Sequence, residues 1–174
     1  EAGVVDAIVA EDIGKFPDLN LAESLQRIPG VVITREAGEG RNISVRGLGP
    51  QFTRVRINGI EALATGGGTD TAGGVNRGRG FDFNTFASEL FSQLVVRKTS
   101  AAEIEEGSLG ATVDLRTARP FDFDGYTFAV GGQVGYNDLL EEANPRGTFL
   151  ISNTFADGKL GGLLSVAYTD RKVV

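Results

Sequence analysis

The chain has 174 residues, 41% of them hydrophobic, and its 17 basic and 23 acidic side chains give a formal net charge of −6. Because it contains no Cys and no His, thiolate and imidazole metal ligands, disulfides and Ser-His-Asp or Cys-His nucleophiles are excluded. The acidic balance argues against a general nucleic-acid binder, which needs a basic surface. No apolar run approaches the ~20 residues of a membrane-spanning helix. Since the chain also lacks Met, we expect Glu1 to follow an excised leader, an upstream domain or an artificial cut in a longer chain.

The N-terminal part predicts a helix after a loose segment. Residues 1–19 mix short apolar steps with acids and are expected to be loosely structured. A helix is predicted over 20–28, because Asn20 is a suitable N-cap and apolar residues recur at helical spacing. The dipeptide Pro29-Gly30 should end it.

Short alternating segments then predict strands at 31–34, 42–46 and 54–57, with a Gly-rich turn between the first two. The dipeptide Asn58-Gly59 follows the third segment. Because Asn-Gly suits the positive φ angles of a tight turn, it predicts a β-hairpin there.

The middle of the chain changes in composition. Residues 64–80 are rich in Gly, Thr, Asn and Arg, which predicts a long loop with little to bury. Asn84 can cap a second helix over 84–92, and strands are predicted at 94–97 and 113–116.

Beyond Pro120 the pattern predicts three long strands, at 126–136, 147–155 and 160–168. Each has one apolar face with aromatic residues near its ends and one small or polar face. Asp157-Gly158 predicts a short turn, whereas the connection at 137–145 is longer and acidic. This pattern is typical of transmembrane β-barrel strands, but a soluble β-sandwich with one buried face is equally compatible with it.

Four ordered sequence blocks together resemble the plug domain of TonB-dependent outer-membrane receptors. They are 21–31 (LAESLQRIPGV), 43–47 (ISVRG), 55–60 (VRINGI) and a last run from 94–97 (LVVR) through 106–115 (EGSLGATVDL). The resemblance implies an N-terminal periplasmic segment at 1–19, an α+β plug domain at 20–120, and antiparallel transmembrane β-barrel strands at 121–174, the first three of an incomplete barrel.

The resemblance also implies a function and a location. The parent protein would lie in the Gram-negative outer membrane, surrounded by lipid, with the plug inside the barrel lumen facing the periplasm. It would import a small extracellular ligand, a carbohydrate or an iron chelate, using the TonB–ExbB–ExbD complex of the inner membrane. No enzymatic activity, cofactor, metal or nucleic acid is expected. The style of the plug blocks resembles the subgroup often associated with carbohydrate uptake.

Candidate site residues follow from the plug blocks and from an excess of Arg, since six Arg but only two acidic residues lie between 41 and 79. By motif position, Arg46 and Arg97 are expected to pair with barrel-wall carboxylates and so lock the plug. Arg77 and Arg79, in the Gly-rich loop, are candidates for ligand contact. The remaining motif residues are Pro29, Gly30, Gly47, Asn58, Gly59, Gly107 and Gly110.

Two features do not match the common receptor pattern. Lys98-Thr99 replaces the usual Gly-Pro after Arg97, and no convincing TonB box is present, residues 3–9 being the nearest apolar candidate.

Other interpretations are weighed beside the receptor. A soluble α/β plus β domain with ligand-binding or enzymatic activity is the main alternative, and a free plug acting as a periplasmic partner of TonB is a narrower one. The acidic cluster Glu103, Glu105 and Glu106 is interpreted as a solvated helix face rather than a cation site, because it lacks the spacing of a Ca²⁺ loop.

Overall fold

A computed structural model describes residues 3–9, 21–36, 39–62, 80–83, 86, 90–102, 104–123, 125–137 and 142–169. The chain divides into two compact units, Glu1–Thr117 and Ala118–Val174. The domain limits drawn from the sequence, at 1–19, 20–120 and 121–174, stay a prediction.

The first unit is built around a five-stranded sheet. Its elements in chain order are β1 (Val5–Val9), α1 (Leu21–Leu25), β2 (Val31–Glu36), β3 (Glu39–Val45), β4 (Thr53–Ile57), β5 (Ile60–Glu61), β6 (Phe91–Arg97) and β7 (Ala111–Thr117). The sheet has the order β1-β6-β7-β4-β5, and β2 and β3 form a separate antiparallel hairpin. Strands β4 and β7 are parallel, while the other neighbours are antiparallel.

Strand alternation gives this sheet one apolar and one charged face. On the apolar side, Val113 of β7 is in register with Val55 of β4 and Val96 of β6, and all three are buried. They share one core with α1 and the β2–β3 hairpin. One residue further along β7, Asp114 is in register with Arg56 and therefore lies on the opposite face.

The Asn58-Gly59 hairpin is confirmed. The two residues have φ angles of 52° and 86°, and they join β4 to β5 with Ile57 opposite Ile60. Positive φ at both central positions is the geometry that matches the twist of a two-residue hairpin.

The predictions for the N-terminal segment and the first helix need correction. The segment that we expected to be loosely structured contains β1, which pairs with β6 over five residues. The first helix ends at Leu25, and Ile28 N–H then donates to the Leu25 carbonyl at 3.0 Å, a bond of the tighter 3-10 type. Ile28 stays buried in the core, so its apolar spacing predicted its packing but not its helical hydrogen bond.

The second predicted helix, over 84–92, is wrong at its C-terminal end. Phe91 and Ser92 belong to β6, and Phe91 is buried with its ring 6.1 Å from that of Phe86. Pairing with β7 therefore overrides the helical spacing. The predicted cap, Asn84, and the Gly-rich loop up to residue 79 lie outside the described residues.

The second unit is a three-stranded antiparallel sheet of order β10-β9-β8. Its strands are β8 (Thr127–Asn137), β9 (Glu142–Phe155) and β10 (Leu160–Thr169). The three predicted strands are confirmed, and Ala156, Asp157 and Gly158, all at positive φ, form the predicted turn. The predicted long connection at 137–145 is wrong, because β9 begins at Glu142 and pairs with the last residues of β8. The first residues of β9 are acidic and include a Pro, so their composition predicted a loop rather than a strand.

One face of the second unit is apolar and exposed. Val130 and Phe149 are in register, as are Phe149 and Val166, and all three side chains are solvent-accessible. Phe128 and Phe149 contact edge to face with ring centroids 5.7 Å apart. No helix in the described ranges combines the length and apolarity needed to cross a bilayer.

Candidate functional site

The charged face of the first unit is centred on Asp114. Its carboxylate accepts two hydrogen bonds from Arg56, at 2.5 Å from Nε and 2.8 Å from Nη2, and a third from Nε of Arg97 at 3.3 Å. The Asp114 side chain is only 7% exposed. The hydrogen bond to Asp114 raises the pKa of Arg56 above its usual value, although burial acts against this. The result is one nearly buried carboxylate shared between two guanidinium groups.

Arg54 lies on the same face, two residues before Arg56. It donates to both carboxylate oxygens of Glu61 at 3.2 Å and to the Glu106 carbonyl at 2.6 Å. The carboxylate of Glu105 lies 3.5 Å away. The contact with Glu106 ties the loop between β6 and β7 to β4.

Arg46 occupies a strained turn position instead of this face. It has a φ of 55°, a left-handed conformation that non-glycine residues rarely adopt. Its backbone N–H donates to the Gly30 carbonyl at 2.9 Å, and its Nη2 lies 2.8 Å from the Gly110 carbonyl and 3.4 Å from that of Leu109. Arg46 therefore joins two plug blocks, and it does so through carbonyls rather than a carboxylate.

Gly110 allows a close approach of backbone segments beside Arg46. A Cβ at this position would meet the Phe52 carbonyl oxygen at 3.2 Å and Thr53 Oγ1 at 3.3 Å. The Gly110 N–H donates to that same Phe52 oxygen at 2.9 Å. The last plug block is thus held against the start of β4 at a place where a side chain would crowd the backbone.

The other motif residues lie at turns and strand ends. Asn58 Oδ1 accepts the Thr117 N–H at 3.0 Å, which fixes the end of β7 beside the hairpin. The Pro29 carbonyl accepts a hydrogen bond from Lys98 Nζ at 2.6 Å. The remaining four motif residues all have positive φ, namely Gly30, Gly47, Gly59 and Gly107.

Several sequence-derived candidates are not brought together. Arg97 contacts Asp114 whereas Arg46 contacts carbonyls, so the structure gives the two expected lock residues different partners. Arg77, Arg79 and Glu103 lie outside the described residues. The interpretation of the acidic cluster as a helix face is wrong for Glu105 and Glu106, which lie in irregular backbone.

Asp114 is the site residue that sequence reasoning missed. A signal for it exists, because a lone acid between Val113 and Leu115 on a buried strand needs a basic partner. Arg54 and Arg56 show the matching alternation on β4, but their pairing with β7 is not visible in the sequence.

Comparison with known proteins identifies the family. The family described as TonB-dependent Receptor Plug Domain matches residues 1–112, which is more than half of the chain. The chain belongs to the TonB-dependent receptor plug family. The resemblance inferred from the four blocks is confirmed.

The curated proteins to which this chain is similar are named as receptors. The ferric enterobactin receptor PirA of Pseudomonas aeruginosa is 33% identical over 129 residues, covering 70% of this chain and 17% of that receptor. A second ferric enterobactin receptor of the same organism is 30% identical, covering 67% of this chain and 16% of the relative. The chain therefore spans about a sixth of the length of these relatives. They are receptors rather than enzymes.

Solved receptor structures share the fold. A crystal structure of a mutant of the ferric enterobactin receptor PfeA of Pseudomonas aeruginosa, in complex with enterobactin, matches 98% of this chain and 25% of its own, with a TM-score of 0.72 and 23% identity. The siderophore receptor PirA of Acinetobacter baumannii matches 95% of this chain and 24% of its own, with a TM-score of 0.69 and 25% identity. The receptor fold thus extends over both units of the chain.

Proposed function

We propose that this chain is the gating part of an outer-membrane receptor that binds an iron chelate outside the cell and imports it actively into the periplasm. The observation that carries the proposal is the plug-family match over residues 1–112, together with relatives that are named as ferric enterobactin receptors. Those names favour an iron chelate over the carbohydrate that the plug blocks suggested. The TonB–ExbB–ExbD complex would supply the energy.

The second unit would form the first transmembrane strands of the barrel. Its exposed face presents aromatic and aliphatic side chains from all three strands, as a lipid-facing surface requires. The opposite face includes Gly161, where a Cβ would lie 2.6 Å from Pro120 Cβ, so the chain preceding β8 packs closely against this side. The apolar face of the sheet would therefore contact the bilayer, and the opposite face would pack against polypeptide inside the barrel.

Arg46 and Arg97 would lock the plug to the barrel wall. Arg97 contacts Asp114 through Nε alone, and both oxygens of Asp114 already accept hydrogen bonds from Arg56. The two terminal nitrogens of Arg97 therefore have no hydrogen-bond acceptor among the described residues. Arg46 likewise has no carboxylate partner in the described ranges. Guanidinium groups with free donors favour bidentate carboxylates, and removal of one partner from such a pair leaves an uncompensated charge.

Charge reversal tests the lock. Arg46→Glu in the full receptor should lower plug retention and uptake, because it would repel the wall carboxylates. Arg116→Glu is a matched control, since this exposed side chain bonds only to Gln93 among the described residues. Unchanged retention and uptake in the Arg46 variant would contradict the lock.

Arg77 and Arg79 would supply cationic contacts to an anionic chelate. The support is compositional, since both lie in a Gly-rich stretch with few acidic residues. If deletion of residues 64–79 left ligand affinity unchanged, these arginines would have no role in recognition.

Ligand binding would shift the plug toward a form that exposes its TonB-binding segment, and force on that segment would open the path. The test is uptake of radiolabelled ferric enterobactin by cells that carry the full receptor as their only siderophore receptor, compared with a strain lacking TonB. We expect uptake only with TonB, and none of a labelled oligosaccharide. Uptake independent of TonB would refute active import, and a full-length protein that stayed soluble without detergent would favour the soluble alternative.

A further inference from the structure

Lys98 is a buried cation at the end of β6. Only 8% of the residue is exposed. Its Nζ donates to the Pro29 carbonyl at 2.6 Å and lies 2.7 Å from Oδ2 of Asp6 in β1. The contact with Asp6 is an ion pair whose geometry is not that of a hydrogen bond. One ammonium group thus connects the N-terminal strand with the turn that follows α1.

Two further hydrogen bonds hold the same end of β1, one from Thr99 and one from the Lys98 backbone. Thr99 Oγ1 accepts the Val4 N–H at 2.9 Å, and the Lys98 N–H donates to the Val4 carbonyl at 2.9 Å. Lys98 and Thr99 are the two residues that depart from the common receptor pattern. Both of them hold the start of β1.

Strand β1 is otherwise weakly attached. Among the strands that the structure describes, it lies at the edge of the sheet and pairs with β6 alone. Of its five residues only Ile8 is buried, while Val5 and Val9 are 38% and 45% exposed. Segments with few buried apolar contacts open at a lower free energy than the core of the same domain. Beside its backbone pairing with β6, β1 is therefore held mainly by the burial of Ile8 and by the polar contacts of Lys98 and Thr99.

We propose that Lys98 is a latch that holds β1 on the sheet, and that β1 separates from β6 as a local step while β4, β6 and β7 stay folded. Without the Asp6 carboxylate, the ammonium keeps only the Pro29 carbonyl, and β1 loses its charged contact. The Pro29-Gly30 turn would stay in place, because the Gly30 carbonyl is also held by the Arg46 N–H at 2.9 Å. In the proposed receptor, and only on that premise, β1 would be the first part of the plug to leave.

Hydrogen exchange in the purified intact protein tests the latch without reference to transport. The amides to follow are those of Asp6 and Ile8. The Lys98 N–H donates to the Val4 carbonyl, so the backbone groups of Val4 face β6. In an antiparallel pair every second residue faces the partner strand in the same way, so the N–H groups of Asp6 and Ile8 also point toward β6. Asp6→Asn removes the charge at constant size, and Lys98→Met keeps the aliphatic stem. Glu61→Gln is the matched control, because it makes the same chemical change at the opposite edge of the sheet.

We expect Asp6→Asn to accelerate exchange of β1 about tenfold and Lys98→Met by at least as much, with amides of β4 and β7 unchanged, since hydrogen bonds and pairs with charged groups contribute at this scale. Glu61→Gln should leave β1 unchanged. Equal acceleration of β4 and β7 would show that Lys98 is a general stabiliser and would overturn the proposal, as would unchanged β1 exchange. If the Lys98 variant failed to fold, the Asp6 variant alone would decide.

Discussion

Replacement of Asp114 by Asn should destabilise the charged face more than any other conservative change on it. The carboxylate receives three guanidinium contacts, two from Arg56 and one from Arg97. The Asn amide has the same shape but offers only one oxygen acceptor, which is uncharged. Its NH2 group would face the N–H donors of the arginines. The variant therefore leaves two cations around a site that has lost its charge.

The magnitude follows from burial. Breaking a fully buried ion pair from one side costs about 3–5 kcal/mol. Here the Asp114 side chain is 7% exposed, but those of Arg56 and Arg97 are 18% and 21% exposed, so water partly compensates the two cations. We expect a loss of about 2–3 kcal/mol, which corresponds to roughly 30- to 150-fold at 1.36 kcal/mol per tenfold change.

The assay is hydrogen exchange of the β4 and β7 amides in the intact protein, because these strands form the centre of the sheet. Exchange from these amides should accelerate by the same 30- to 150-fold if it requires opening of the sheet. Glu61→Gln again serves as control: the Glu61 side chain is 52% exposed, and exposed pairs contribute about 0–1 kcal/mol. A change of less than about fivefold for Asp114→Asn, or equal effects of the two variants, would refute the assignment of Asp114 as the central acceptor.

Three further outcomes are expected. Gly110→Ala should cost about 1–3 kcal/mol in a thermal or chemical unfolding assay, because its Cβ meets the Phe52 oxygen at 3.2 Å; an unchanged midpoint would contradict the close approach. The pKa of Arg56 is higher in the folded protein than in the unfolded chain. The pairing of Arg56 with Asp114 therefore stabilises the fold fully at any pH below the unfolded pKa, and this stabilisation is lost only as pH rises through the folded pKa. The stability difference between wild type and Arg56→Met should therefore be constant from about pH 6 to 10, and a steady decline over that window would argue against this pairing. A disulfide between Val9→Cys and Gln93→Cys, which are in register, should block uptake until it is reduced if β1 release belongs to gating; full uptake by the oxidised protein would separate the latch from transport.

Local chemistry made part of this fold predictable. The Asn58-Gly59 turn needs only two residues with positive φ, and the long strands of the second unit repeat an apolar residue at every second position over many residues. Both signals are contained within short stretches of chain, which is why the hairpin and the alternating parts of all three long strands are predictable from the sequence.

Elements defined by distant partners were harder to predict. β1 has a mixed sequence and becomes a strand because β6 offers it a partner. In the same way Phe91 lies inside the predicted helix 84–92 but pairs with Thr117, and residues 142–146 have a loop-like composition but continue the ladder with β8. The role of Asp114 depends on a parallel register with β4 that local patterning does not specify.

The position of β1 also determines when it can form. Val5 and its partner Arg97 are about 90 residues apart, so the strand is made early in synthesis and has no partner until β6 follows. Contacts of such long separation are made late, after the closure entropy of the intervening chain has been overcome. Strands β6 and β7 are separated only by residues 98–110, far less chain than separates β1 from β6, so they can pair before it. Assembly of the sheet therefore ends with its first strand, and refolding monitored at β1 should show a slower phase than refolding monitored at β7.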